Sequence, residues 1–238
     1  MLCFMQATNV TAVVNAAGYC GVNNVDDCDE DPVKTWEGNL LLPLMLADCC
    51  KWLGVPLHHI STGCIFDDAG YAISEGEKPN CLVGQYRKSK FAGEMGVREI
   101  LPTNSWCYRV RMPFDNRINP RNLLQKVRRF AKVVDAINSI TYVPDLVDNV
   151  MDCVVERRAP GVYNMVNPHP MSIYKIACAV AENWGHLSDG PEPMHPEELN
   201  YICKGVRTNC ILSTTKMERA EFNFRPTLEA VIQSMATR

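Results

Sequence analysis

The sequence predicts an α/β fold built on a parallel sheet, and three stretches carry that prediction. Val10-Thr11-Ala12-Val13-Val14-Asn15-Ala16-Ala17 is a continuous apolar, β-branched run, the pattern of a strand buried on both faces. Val55-Pro56-Leu57-His58-His59-Ile60 is a second, and it runs into Ser61-Thr62-Gly63 and the thiol of Cys64. Trp106 to Arg111 alternates as a strand does. Helical stretches separate the three, so the order implies parallel pairing through right-handed crossovers. In such a sheet ligands bind at the carboxyl ends of the strands, which places Thr62 and Cys64 for chemistry.

The elements follow in order. Gly18-Tyr19-Cys20-Gly21 and the turn-rich Asn23 to Asp29 come after the first strand. Two glycines without a third, and no acidic residue ending a following strand, fall short of a dinucleotide loop and read as a strand-end turn. Asp31-Pro32 opens a helix, with an N-cap and proline at the first position. It runs, with a break near Pro43, to Trp52, and Gly54 and Pro56 stop it. Asp67 to Lys78 is a loop. Tyr86 to Ile100 has helical spacing, with Phe91, Met95 and Ile100 apolar.

The second half is less regular. Asn119-Pro120-Arg121-Asn122 caps a basic helix through Arg129, and Ser139 to Val143 reads as a short strand. Asp145 to Arg157 is amphipathic, with Leu146, Val150, Cys153 and Val154 in register. Gly161 to Val166 is a strand and Ser172 to Trp184 a helix. Pro191-Glu192-Pro193 breaks the pattern, and Ser213 and Thr227 cap the last two helices.

With 238 residues the chain can bury one full core beside a smaller lobe. A formal net charge of −3 gives no electrostatic basis for nucleic-acid binding. The longest apolar run, Leu40 to Ala47, contains Pro43 and is too short to span a bilayer. Met1 to Ala7 lacks the basic region and long apolar core of a signal peptide. The 12 cysteines form no Cys-x-x-Cys pair and no zinc-type spacing, so no metal is expected. Cys49, Cys50, Cys153 and Cys178 sit in apolar patterns and read as free thiols of a reducing, cytoplasmic compartment.

Tyr86 and Lys90 stand four residues apart on one helix face. A free tyrosine has a pKa near 10, and an ammonium one turn away favours the phenolate and lowers it. Such a pair can deliver a proton to a carbonyl oxygen as hydride reaches the carbon, with the Thr62 hydroxyl holding the same oxygen. Tyr-x-x-x-Lys also recurs by chance, and on a surface it does nothing. By spacing alone Cys64 is a small buried hydrophobe and Lys126 a solvated charge.

The wider pattern changes that weighing. Asn15-Ala16-Ala17-Gly18, Asn24-Val25-Asp26, Thr62-Gly63-Cys64-Ile65-Phe66, Tyr86 with Lys90, and Gly93-Glu94 fall in the order seen in extended short-chain dehydrogenases/reductases. Arg109-Val110-Arg111-Met112-Pro113, Asn119-Pro120-Arg121-Asn122, Lys132-Val133-Val134, Asn138-Ser139-Ile140-Thr141 and Tyr163 to Pro168 continue the match over nearly the whole chain. These segments resemble the nucleotide-sugar branch of that family, the 4-keto-6-deoxyhexose 3,5-epimerase/4-reductases.

The resemblance implies a Rossmann-like, doubly wound parallel sheet with a smaller C-terminal substrate lobe. It implies NADPH-dependent reduction (NADH being the other nicotinamide donor) of a nucleotide-linked 4-keto-6-deoxyhexose with inversion at C3 and C5, giving a nucleotide-rhamnose, UDP favoured over dTDP. Thr62, Tyr86 and Lys90 match the reductase triad, and Lys90 also the contact to the nicotinamide ribose. Asn15, Ala16 and Ala17 match the strand end lining the cofactor, and Asn39 a residue of the helix behind it. Cys64 and Lys126 match the epimerising pair, while Arg111, Arg121 and Asn122 lie where the nucleotide-sugar is held. A homodimer is left open. Two alternatives stand beside this reading: a dTDP-4-dehydrorhamnose reductase without epimerase activity, and a non-catalytic relative such as a regulatory subunit of methionine adenosyltransferase.

One departure matters. The family's opening strand, Gly-rich loop and helix have no counterpart here, and the first strand matches the fourth of the fold. Val10 to Asn15 is then expected to be an apolar sheet edge. The chain is expected to be N-terminally truncated, to bind NADPH weakly and to be poorly soluble. The expected division is a partial dinucleotide-binding domain, 1–113, and a substrate lobe, 114–238.

Overall fold

β2, at the centre of the architecture, spans Leu57–Thr62 and pairs on both sides. The structure, a computed structural model, describes residues 1–156, 158–185 and 190–236. Arg157, the expected end of one helix, and Arg238, the expected end of the second domain, lie outside the described residues.

The chain enters through α1 (Leu2–Ala7) and β1 (Val13–Asn15), then a 3-10 turn over Val25–Cys28. A continuous helical rod follows: α2 (Pro32–Trp36), a π turn (Glu37–Leu41) and α3 (Leu42–Leu53). β2 leads to α4 (Gln85–Ile100) and β3 (Ser105–Val110). The second half contributes β4 (Pro113–Phe114), α5 (Leu123–Val127), β5 (Lys132–Val134), β6 (Ile137–Asn138), β7 (Thr141–Tyr142) and α6 (Val143–Glu156). Next come β8 (Gly161–Asn164), β9 (Met171–Ser172), α7 (Ile173–Trp184) and β10 (Glu192–Met194). α8 (Leu199–Ile202), α9 (Thr215–Arg219) and α10 (Thr227–Ala236) complete it.

β1, β2, β3 and β8 form one sheet in that order, every pair parallel, as expected for crossover connections. β8 is the return strand from the second half. β1 has β2 as its neighbour and is the edge of the described sheet, with Val14 43% exposed. Three short ladders, β4 with β7, β5 with β10 and β6 with β9, organise the rest.

α3, α4 and one sheet face enclose Ala47, Cys50, Leu57, Val97 and Cys107, and the opposite face packs Tyr108, Val150, Cys153, Met217 and Phe222. A separate core joins α5, α7 and α10 through Leu124, Ile176, Val180 and Val231. All 12 cysteines are free thiols. Among the described residues no helix is long and apolar enough to cross a membrane.

Several elements differ from expectation for identifiable reasons. The helix does not break at Pro43. Proline has no N–H to return to the Asn39 carbonyl, and the preceding turn widens instead, with Leu42 N donating to Glu37 O five residues back. α5 stops at Val127 rather than Arg129, where the Arg128 guanidinium turns to the carbonyls of Trp184 and Gly185. The strand expected over Ser139 to Val143 shortens to Thr141–Tyr142, because Val143-Pro144-Asp145 already begins α6. Pro191-Glu192-Pro193 leads into β10, an edge strand in which Pro193 needs no ladder bond; Glu192 N and Met194 O bond Ala131 and Asp135 on either side of β5. Thr214, not Ser213, is the N-cap of α9, and Thr227 is the first residue of α10, its hydroxyl donating to Pro168 O.

The two histidines of β2 are buried on opposite faces. His58 stacks on Trp106 with centroids 4.7 Å apart and bonds the Tyr108 hydroxyl at 2.9 Å. His59 Nδ1 faces Asn15 Nδ2 at 3.1 Å. Burial pushes His58 down to about 4 and His59 down to about 3. Below about 6.5 the unfolded chain binds protons at both rings while the folded chain does not. Stability is therefore lost as pH falls from that value toward the folded pKa values. Denaturant melts should show the midpoint falling over this window, and falling less in His58→Gln; an equal slope in the variant removes His58 from the account.

Candidate active site

The carboxyl ends of β1, β2 and β3 meet the first turn of α4. Asp29 sets that turn: its carboxylate accepts from Gln85 N at 2.6 Å, an acid at the positive end of a helix. Trp36 Nε1 donates to Gln85 Oε1 at 2.9 Å and ties α2 to the same point.

At the end of β1, Asn15 Oδ1 accepts from Ala17 N at 3.1 Å and shapes the turn through Ala16. Asn39 lies on the π turn and is fully buried. Its amide accepts from Tyr19 N and donates to Tyr19 O, both at 2.8 Å, and donates to Ser89 Oγ at 3.1 Å. It therefore clamps the loop after β1 against α4. Close approach depends on missing side chains. A Cβ at Gly93 would lie 2.1 Å from Asn39 O, and one at Gly18 3.0 Å from Asn39 Oδ1.

Thr62, Tyr86 and Lys90 converge here. The Thr62 hydroxyl accepts from Cys64 N at 3.1 Å and lies beside the phenol of half-buried Tyr86. Lys90 Nζ donates to Ile60 O at 2.6 Å and lies close to Gly18 at the end of β1. The expectation that Lys90 lowers the pKa of Tyr86 is corrected. Burial, with the Cys64 thiol beside it, raises the phenol's pKa, and the Thr62 contact opposes that only in part. The phenol is held as an acid, with its proton in place. Burial brings Lys90 down to about 8, against the pull of Glu94.

Cys64, half-buried, follows directly. Arg87 Nε donates to its carbonyl at 2.9 Å, and Arg111 Nη1 lies 3.8 Å from its sulfur. Arg111 is buried and its fork is engaged by Asn138 Oδ1, Thr208 Oγ1 and Thr208 O. Asn122 is buried as the N-cap of α5 and donates to the Asp115 and Arg117 carbonyls. Both residues therefore shape the site through protein contacts. Arg121 reaches across the cleft to Cys20 Sγ at 2.8 Å and to the carbonyls of Gly21 and Val22. Lys126 is half-buried, its pKa lowered by burial and by the charges of Arg121 and Arg207.

Four participants escaped sequence reasoning. Cys20, on the loop after β1, receives the Arg121 guanidinium at its sulfur. Arg207 grips Asp26 through two bonds of 2.7 and 2.6 Å. Glu94 and Arg109 form a fully buried ion pair beneath the site. Asn24-Val25-Asp26 and Gly93-Glu94 stood among the matching segments, but nothing local signalled their partners.

Residues 2–237 match the family model described as the RmlD substrate binding domain. The chain is 35% identical over 247 residues to the bifunctional dTDP-4-dehydrorhamnose 3,5-epimerase/dTDP-4-dehydrorhamnose reductase of Arabidopsis thaliana, covering 97% of this chain and 77% of that one. The fold superposes on the UDP-rhamnose synthase of Acanthamoeba polyphaga mimivirus with a TM-score of 0.89 at 21% identity, over 100% of this chain and 85% of the other. The dTDP-4-dehydrorhamnose reductase of Bacillus anthracis, solved in complex with NADP, gives 0.86 at 20% identity, over 100% and 84%. The Rossmann-like parallel-sheet class expected from the sequence is thus the observed fold. The chain belongs to the RmlD substrate binding domain family, a family of NAD(P)-dependent oxidoreductases.

Proposed function

We propose that the chain reduces the 4-keto group of a nucleotide-linked 6-deoxyhexose and inverts its C3 and C5 centres, with NADPH as the favoured cofactor and UDP as the favoured nucleotide. The observation that carries the reading is the convergence of Thr62, the protonated Tyr86 phenol and Lys90 at the end of β2, with Cys64 two residues on. NADPH is named in the B. anthracis relative as its oxidised form, and UDP-rhamnose in the mimivirus relative.

The residues fit the nicotinamide end of such a cofactor. Lys90 has three N–H donors and gives one to Ile60 O, and it lies near Gly18 beyond the end of β1. The bound cofactor would supply hydride to C4. Tyr86 donates its proton to the C4 oxygen, and Thr62 holds that oxygen by a hydrogen bond. Epimerisation removes an α-proton from one face and returns one to the other, so it needs two groups on opposite sides of the ring. Cys64, oriented by Arg111 and Arg87, serves one side and Lys126 the other. Arg121, released from the 20–22 loop, suits the pyrophosphate through its fork.

Turnover in deuterated water tests the epimerase half. Deuterium is expected at C3 and C5 of the product. Cys64→Ser should lose that label while still reducing a substrate already epimerised. Unlabelled product from the wild-type chain leaves the reductase reading alone.

A further inference from the structure

We propose that Glu94 is a positioning residue for this reduction: one buried carboxylate locks the strand end bearing Thr62 to the helix face bearing Lys90 and provides the counter-charge for the Lys90 ammonium. The inference rests on the function proposed above.

Glu94 is fully buried on α4, one turn beyond Lys90. Its Oε2 accepts from Ser61 Oγ at 2.6 Å and from Arg109 Nε at 3.1 Å, and its Oε1 accepts from Arg109 Nη2 at 2.7 Å. Ser61 adjoins Thr62, and Arg109 lies two residues before Arg111. Arg109 is 2% exposed, donates onward to Glu75 O at 3.2 Å, and lies over the Phe66 ring. Glu75 in turn accepts from Asn164 N at 3.0 Å. A single carboxylate thus joins α4, β2 and β3, and through Glu75 reaches β8.

Stability alone does not account for such a pair. Well-packed apolar residues of the same volume are often as stable as a buried ion pair, or more so. What apolar residues cannot provide is negative charge beside Lys90. Of the other groups facing Lys90, His59 on β2 and Cys107 on β3 are held neutral by burial. Arg109 meets Glu94 from β3. Burial lowers the Lys90 pKa and Glu94 is the largest group opposing it.

Lysine labelled with carbon-13 at the ε position reports the Lys90 titration in the full chain by NMR, assigned with Lys90→Met. The wild-type midpoint is expected near about 8. Glu94→Gln should lower it by about 1 unit, and the alkaline limb of reductive turnover should move with it, with kcat falling more than KM changes. An unchanged midpoint in a folded Glu94→Gln overturns the proposal. If that variant does not fold, Glu94→Asp replaces it: the withdrawn charge should lower the midpoint by less, and no change again overturns the proposal. Absence of turnover in the wild type refutes the function reading, while the NMR midpoint still decides whether Glu94 governs Lys90.

Discussion

Tyr86→Phe is expected to lower reductive turnover about 1,000-fold, within the range of a lost general acid. The substitution removes one hydroxyl and keeps the ring, so packing in the half-buried site survives. Thr62 keeps its bond from Cys64 N. The missing interaction belongs to the transition state, where charge develops on the C4 oxygen, so kcat should fall while KM holds. The pH profile follows from the same geometry. The phenol's pKa is raised, so its proton remains in place throughout the neutral range. Lys90 sets the limb: its ammonium is present below about 8 and lost above it, so the rate should be flat at lower pH and fall as pH rises through that value. NADPH consumption measures both. A loss smaller than about tenfold would remove Tyr86 from the role of acid.

Arg109→Leu should destabilise the fold by about 3–5 kcal/mol, the cost of leaving a buried carboxylate without its partner. Glu94 and Arg109 are 0% and 2% exposed, so water cannot replace the lost donors. In a chain of this size that corresponds to a melting temperature lower by roughly 10 °C or more. Adding Glu94→Leu should restore part of the loss: the carboxylate that lost its guanidinium is then gone, while Lys90 loses its counter-charge. The exposed Lys34–Asp31 pair gives the contrast. With side chains 67% and 32% exposed, its removal through Lys34→Met should leave stability nearly unchanged. Calorimetry on the three variants decides; a small effect from Arg109→Leu would mean that Glu94 takes up a proton or finds water.

Legibility of the sequence followed sequence distance. Asp31-Pro32 reads as a helix start because the cap and the proline are neighbours, and α2 begins there. Tyr86 and Lys90 share a face because helical periodicity is local, and α4 carries both. Of the short ladders in the second half only β7 was legible, within Ser139 to Val143, since two or three residues carry little alternation to read. Nor were partners far along the chain: Arg121 meets Cys20 across 101 residues, and Arg207 meets Asp26 across 181. Arg111 adds a further case: its type and place suggested a ligand fork, and the Asn138 and Thr208 contacts that engage it form only after folding.

The π turn at Glu37–Leu41 has a consequence for descent. Such a turn is an α-helical turn that has accepted one additional residue. Because the surplus is absorbed locally, the rod on either side can gain or lose that residue without a change of length elsewhere in the domain. Deleting Gly38 would remove the surplus residue and rotate Pro32–Trp36 by about 100° relative to Leu42–Leu53. Asn39 would turn from Tyr19, and Trp36 from Gln85. A one-residue gap at this place in related chains would therefore mark lineages that hold the loop after the first strand by other means.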